Sequence, residues 1–138
     1  MKLSIKVYYG LQALLELAEN PKQGPLNMKI IAKRQTIPLN FLEQILNTLK
    51  KNGVVKSNRG KEGGYALAKQ PSDITCYEVV LALSGRPKIL DKEVEKPNAI
   101  DNFLLATEIN LIKYFQSKTL EELKSEDKKL RDVVDFTI

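Results

Sequence analysis

Residues 37–69 read IPLNFLEQILNTLKKNGVVKSNRGKEGGYALAK, and two structural periods meet inside them. Leu42, Ile45, Leu46 and Leu49 recur at i, i+3, i+4 and i+7, the stripe of a helix with one buried face. Pro38 suits the first turn of that helix, where its missing N–H has no partner to lose. Asn52-Gly53 stops it, with Lys50 and Lys51 in the last turn to complement the carbonyl end. Two short β-prone runs follow, VVKS and YALA, separated by a charged, glycine-rich loop.

That loop has three readings. A Walker phosphate loop needs Gly, four residues, Gly-Lys and then Ser or Thr. Here Gly60 is followed by Gly63-Gly64-Tyr65, without the lysine and hydroxyl in their places. The dinucleotide pattern fails on spacing, and no βαβ unit surrounds it. A plain hairpin accounts for Gly63 and Gly64, which are expected to supply positive φ angles in a tight turn. It does not account for Lys56, Arg59 and Lys61 along the same excursion. A DNA-binding wing does, since its cations enter the narrow minor groove or grip phosphates. Glu62 stands against this unless it turns away or pairs with Lys61 or Arg59.

On the N-terminal side, Ser4 is a plausible cap for a first helix carrying Val7, Leu11, Leu14, Leu15 and Ala18 at helical spacing. Asn20-Pro21 ends it, and Gly24-Pro25 marks a loop. Asn27 caps a short second helix, MKIIAKRQ, with Ile30 and Ile31 expected inward and Lys29, Lys33 and Arg34 outward. A break at Thr36-Ile37 leads into the third helix. Two helices joined by a short turn form a helix-turn-helix, and a hairpin directly after it makes a winged helix. With the apolar stripe inward, Asn40, Glu43, Gln44, Asn47 and Lys51 lie mostly outward. Asn and Gln bind adenine edges bidentately, Glu accepts from cytosine, and the start of a recognition helix reaches bases first. Asn40, Glu43 and Gln44 are therefore the candidate base readers, although an ordinary solvated face has the same pattern at any one of them.

On the C-terminal side, Thr75 and Glu78 are spaced as a reciprocal capping box for a helix with Val79, Val80, Leu81 and Leu83. Gly85-Arg86-Pro87 stops that helix. Residues 86–98 form a charged linker with prolines near both ends. Residues 99–117 form the longest helix, apolar over much of its circumference, which calls for cover on more than one side. The N-terminal helix is expected to cover part of it and a second copy of the chain the rest. Dimerisation is assigned to Ile100, Phe103, Leu104, Leu111, Ile112 and Phe115. Thr119 and Glu122 start a shorter amphipathic helix, and the apolar tail VVDFTI is expected to dock. The fold class is mainly α: a winged helix-turn-helix with a two-stranded wing and a long C-terminal dimerisation helix. The division is 1–85 for DNA binding, 86–98 as linker, and 99–138 for dimerisation and the last helix.

Bulk properties agree with this. The chain of 138 residues is 43% apolar, enough for one domain with a core. Residues 29–69 hold 9 Lys and Arg against 2 Asp and Glu, a net of +7, whereas the whole chain carries +5. Basic charge so concentrated points to a polyanion. No apolar run spans a membrane, no signal peptide is read at the N-terminus, and the single cysteine, Cys76, excludes an intrachain disulfide. A cytoplasmic setting is expected. No histidine, nucleophile–base pair or metal-ligand spacing supports an enzyme or a metal site, and no cofactor is expected.

The segments MKLSIKVYYGLQALLELA, IAKRQTIPLNFLEQILNTLKKNGVVKSNRGKEGGYALAK and DITCYEVVLALSG resemble the Rrf-type winged-helix transcription regulators over about residues 1–85. That family includes iron–sulfur and nitric-oxide sensors and a cluster-free repressor of cysteine metabolism. The resemblance implies a dimer on a partly palindromic operator, with the third helix in the major groove and the wing in the minor groove. It places Asn40, Phe41, Glu43 and Gln44 at helix reading positions and Arg59 at the groove-binding arginine of the wing. With Lys51, Lys56 and Lys61 these make up the expected DNA-binding set. Family wings often carry Pro and Gly where this chain has Lys61 and Glu62. Cluster-binding relatives place three cysteines between Arg86 and Ala99, and this stretch has none. The resemblance is therefore to the cluster-free branch. The expected partners are double-stranded DNA and a second copy, with an effector protein or small molecule left open. The alternative is a protein-interaction adaptor that kept the winged fold and lost DNA binding.

Overall fold

The computed structural model describes residues 2–20, 24–59 and 63–137. They form α1 (Ile5–Glu19), α2 (Met28–Gln35), α3 (Leu39–Lys51), β1 (Val55–Asn58), β2 (Gly64–Leu67), a 3-10 turn (Pro71–Asp73), α4 (Cys76–Ser84), α5 (Ala99–Ser117) and α6 (Leu120–Thr137). This is a mainly α winged helix. The expected elements are present, with strand limits displaced by one residue from the sequence expectation.

The stripe of α3 is the centre of the core. Leu42, Leu46 and Leu49 are fully buried and Ile45 nearly so, against Leu14 and Leu17 of α1, Ile31 of α2, Val54, Ile74 and Val79. Each such side chain contributes roughly 1.5–3 kcal/mol by leaving water. The end of α3 fixes where the wing begins. Gly53 takes φ 73°, its N–H donates to Lys50 O at 3.1 Å, and Val54 N–H donates to Leu49 O at 3.0 Å. This paired closure of the last turn brings buried Val54 onto buried Leu49 and sends the chain into β1.

The turn between α2 and α3 closes differently. Thr36 lies in the left-handed region at φ 54°, and Ile37 N–H donates to Ala32 O at 2.9 Å. Ile37 is thereby buried. Pro38 stands one position before the helix, as the residue that caps α3. Ile30, expected inward, is 41% exposed. Adjacent residues of a helix are ~100° apart, and a helix this short buries only Ile31.

β1 and β2 pair antiparallel, Val55 with Leu67 and Asn58 with Gly64. A further bridge extends the sheet: Leu26 N–H donates to Tyr65 O at 2.8 Å, and Tyr65 N–H to Leu26 O at 2.9 Å. This changes the role of Gly64. Its φ is not left-handed, but a Cβ there would stand 2.5 Å from Leu26 O. The residue is small because another backbone passes close by, not because a turn needs positive φ.

The capping box at Thr75 is half formed. Glu78 N–H donates to Thr75 Oγ1 at 3.2 Å, while the Glu78 carboxylate pairs with Lys69. A complete box, not expected from the sequence, opens α5. There Asn98 Oδ1 accepts from Asp101 N–H at 3.0 Å, and Asp101 Oδ2 accepts from Asn98 N–H at 3.0 Å. α5 leans on α4, and α1, expected to cover it, packs instead against α6. A bridge ties α6 down: Cys76 N–H donates to Lys118 O and Leu120 N–H to Ile74 O, each at 2.9 Å. Leu120 thus joins the same core as α1 and α3. In the tail, Val133 and Val134 are 61% and 55% exposed on a continuing helix, and the side chains of 135–138 lie outside the described residues.

Candidate nucleic-acid interface

α3 turns a polar face to solvent because its apolar stripe is committed to the core. Asn40, Glu43, Gln44 and Asn47 are exposed, and their side chains are uncommitted among the described residues. Gln44 contributes only its backbone carbonyl, which accepts from Thr48 Oγ1 at 3.1 Å. The helix start is also open. Ser4, Asn27, Thr75 and Asn98 cap α1, α2, α4 and α5 with side-chain oxygens, whereas Pro38 has no such group for α3. The first N–H groups of α3 therefore have no side-chain acceptor from the cap, and they stand beside the residues expected to read bases. Such a terminus favours phosphate oxygens.

Phe41 lies at the edge of this face. It is 38% exposed, and its ring meets Tyr9 of α1 edge-on, with centroids 6.2 Å apart and planes at 74°. This packing fixes the first turn of α3 against α1. Lys51 is exposed on the last turn, roughly 16 Å along the axis from Asn40 at 1.5 Å per residue. That distance places it beside the start of the wing, suited to phosphate rather than to the same bases as Asn40.

On the wing, Arg59 is exposed directly after β1. Lys56 pairs with Ala66 and borders a cleft of about 470 Å³ with Lys69 and Lys124. It therefore groups with those cations at the root of the wing. Lys61 and Glu62 lie outside the described residues. Among the dimerisation candidates, Ile100 and Phe103 are 68% and 69% exposed. Leu104, Leu111, Ile112 and Phe115 are half-buried within the chain. Tyr114, at 70% exposure, was not among the candidates, although its spacing from Phe103 puts both on one side of α5.

Cys76 is buried, and burial pushes its thiol up from the ordinary value, so it stays protonated. Among the described residues no helix is long and apolar enough to cross a membrane.

A family model described as "Rrf2: Iron-dependent Transcriptional regulator" matches residues 3–127. The chain is 33% identical over 125 residues to the HTH-type transcriptional regulator CymR of Bacillus subtilis, covering 91% of each. The solved structure of that protein, described as the global cysteine regulator of B. subtilis, superposes with a TM-score of 0.83 at 32% identity. It covers 91% of this chain and 98% of that one. IscR of T. potens superposes with a TM-score of 0.81 at 32% identity, covering 94% and 90%. An HTH-type regulator of Synechocystis is 46% identical over 83 residues, 60% of this chain, and the match spans 56% of that relative's own length. These relatives are transcriptional regulators and not enzymes.

The iron in the family description can be tested against the donors present. An iron–sulfur centre is held by several thiolates or imidazoles. The chain has one cysteine and no histidine, and Cys76 is buried. Among the described residues no three His, Cys, Asp or Glu side chains are grouped to hold a metal. The donor set does not fit such a centre.

Proposed function

Because the chain belongs to the Rrf2 family of transcriptional regulators, we propose that it is a sequence-specific repressor. It acts as a homodimer on a partly palindromic operator, without an iron–sulfur cluster. The observation that carries this reading is the start of α3. Uncapped backbone amides stand beside the uncommitted side chains of Asn40, Glu43 and Gln44. The amides hold phosphate and set the depth of the helix in the major groove, while the side chains read base edges. Arg59 enters the minor groove alongside, and Lys51 and Lys56 grip further phosphates. Residues 1–85 bind DNA, 86–98 connect, and 99–138 carry the interface with the second copy.

Capture of fragmented genomic DNA by the purified protein, followed by competition at fixed salt, tests this. One enriched sequence with two related half-sites is expected. Equal competition by all fragments would leave the adaptor reading in its place. On that operator, Gln44→Ala should lose about 1–3 kcal/mol, confined to one base position in each half-site. Arg59→Ala should weaken binding to all sequences and make the log–log salt dependence shallower by about 0.9 for each phosphate no longer neutralised.

A further inference from the structure

We infer that the cavity between residues 86–98 and α5 binds a small amphipathic organic anion, a monocarboxylate carrying a short hydrocarbon body. The cavity holds about 540 Å³, within the range of small-molecule sites. Its lining divides by chemistry. Leu90, Val94, Pro97, Leu104 and Leu105 give an apolar surface, and Arg86, Lys88 and Lys92 bring cations to it. The acidic residues in the lining are already used. Asp101 Oδ2 accepts from Asn98 N–H at 3.0 Å. Glu108, buried to 9% exposure, accepts from Ile89 N–H at 2.9 Å and from Arg86 at 3.4 Å.

Lys88 and Lys92 make no ion pair among the described residues. Three cations against two carboxylates leave the lining with a net charge of +1, which a monoanion balances. Inorganic phosphate would leave the leucines wet, and an uncharged hydrocarbon would leave the lysines unanswered. Most of the lining also faces away from the exposed apolar side of α5. Asp101, Leu105 and Glu108 lie roughly 120–180° around α5 from Phe103 and Tyr114 at 100° per residue, while Leu104, ~40° from Ile100, forms the edge of the site nearest that side.

The proposal does not depend on DNA binding and is read without DNA. The ¹⁵N-labelled full chain is titrated with hexanoate, and in parallel with hexanamide and with inorganic phosphate. Hexanoate is expected to give saturable amide shifts confined to residues 86–98 and 101–108, with a Kd at least tenfold lower than hexanamide. The double variant Lys88→Ala/Lys92→Ala is expected to raise the hexanoate Kd at least tenfold. Both lysines are exposed, so the remaining resonances should keep their positions. Arg86 is left intact because its removal would strand the buried Glu108. Unsaturable shifts, shifts centred on the exposed side of α5, equal binding of phosphate, or a double variant that binds like the wild type would each overturn the proposal.

Discussion

At Gly64 the constraint on side-chain size comes from a residue 38 positions earlier in the chain. The Leu26 and Tyr65 backbones exchange hydrogen bonds beside it, N–H to carbonyl in each direction, and a Cβ would stand 2.5 Å from Leu26 O. Gly64→Ala must push that strand away. It is expected to cost on the order of 1–3 kcal/mol in urea unfolding, as overpacking does. Thr36 is the opposite case: a β-branched side chain held at φ 54°, a conformation that costs such residues roughly 1–2 kcal/mol. Thr36→Gly should therefore raise stability by up to about 1 kcal/mol, the gain being reduced by the larger unfolded-state entropy of glycine. A lower midpoint would show that the hydroxyl or methyl has a packing role. The sequence showed that both positions were turns or breaks. The reasons for the residues there were not legible, since one depends on a bridge of a single residue pair and the other on a φ angle that threonine does not advertise.

Helices were legible where periodicity and caps coincide. α2 and α5 begin and end where Asn27 and Ala99 to Ser117 indicate. What each helix packs against was less legible, because an apolar stripe does not name its partner. α6 is held to α1 by Arg131, which donates to Glu19 Oε2 at 2.8 Å and to Asp127 Oδ2 at 2.7 Å. One guanidinium serves two carboxylates. Glu19 Oε1 is buried without a donor, and burial together with the neighbouring Asp127 raises the Glu19 carboxyl to about 7, Arg131 opposing. The ordinary value in an unfolded chain is near 4.5. Between these values the folded chain binds a proton that the unfolded chain does not, so stability falls as pH rises through that window. The contribution is full below the lower value and lost above the upper one. Glu19→Gln keeps the neutral shape at all pH values. The stability difference between wild type and variant should therefore move against the wild type from pH 5 to pH 8 in denaturant titrations. A difference independent of pH would show that Glu19 is ionised throughout.

For the whole molecule, the decisive feature is the side of α5 that no other element covers among the described residues. Ile100, Phe103, Thr107, Asn110 and Tyr114 follow alternating steps of three and four, the spacing of a seam between two helices. The apolar members are 68%, 69% and 70% exposed. Covering Ile100 and Phe103 in two copies contributes on the order of 6–12 kcal/mol at 1.5–3 kcal/mol per side chain. Association costs about 4–15 kcal/mol in forfeited freedom of motion. The balance is close, so a dimer of this kind depends on each large side chain in the seam. Phe103→Glu removes one from each copy and sets like charges against each other. It should make the chain monomeric in sedimentation equilibrium at concentrations where the wild type is dimeric. Its circular dichroism should not change, because the Phe103 side chain is 69% exposed within its own chain and its carbonyl, which accepts from Thr107 Oγ1, is kept. DNA binding should then separate into two effects. Binding to a single half-site should persist, since α3 and the wing are intact. Affinity for the full operator should fall on the order of 10²–10⁴-fold, the advantage that linking two reading heads confers. A variant that stays dimeric would move the interface to another surface. A monomer that binds the full operator as tightly as the wild type would show that each chain reads DNA alone.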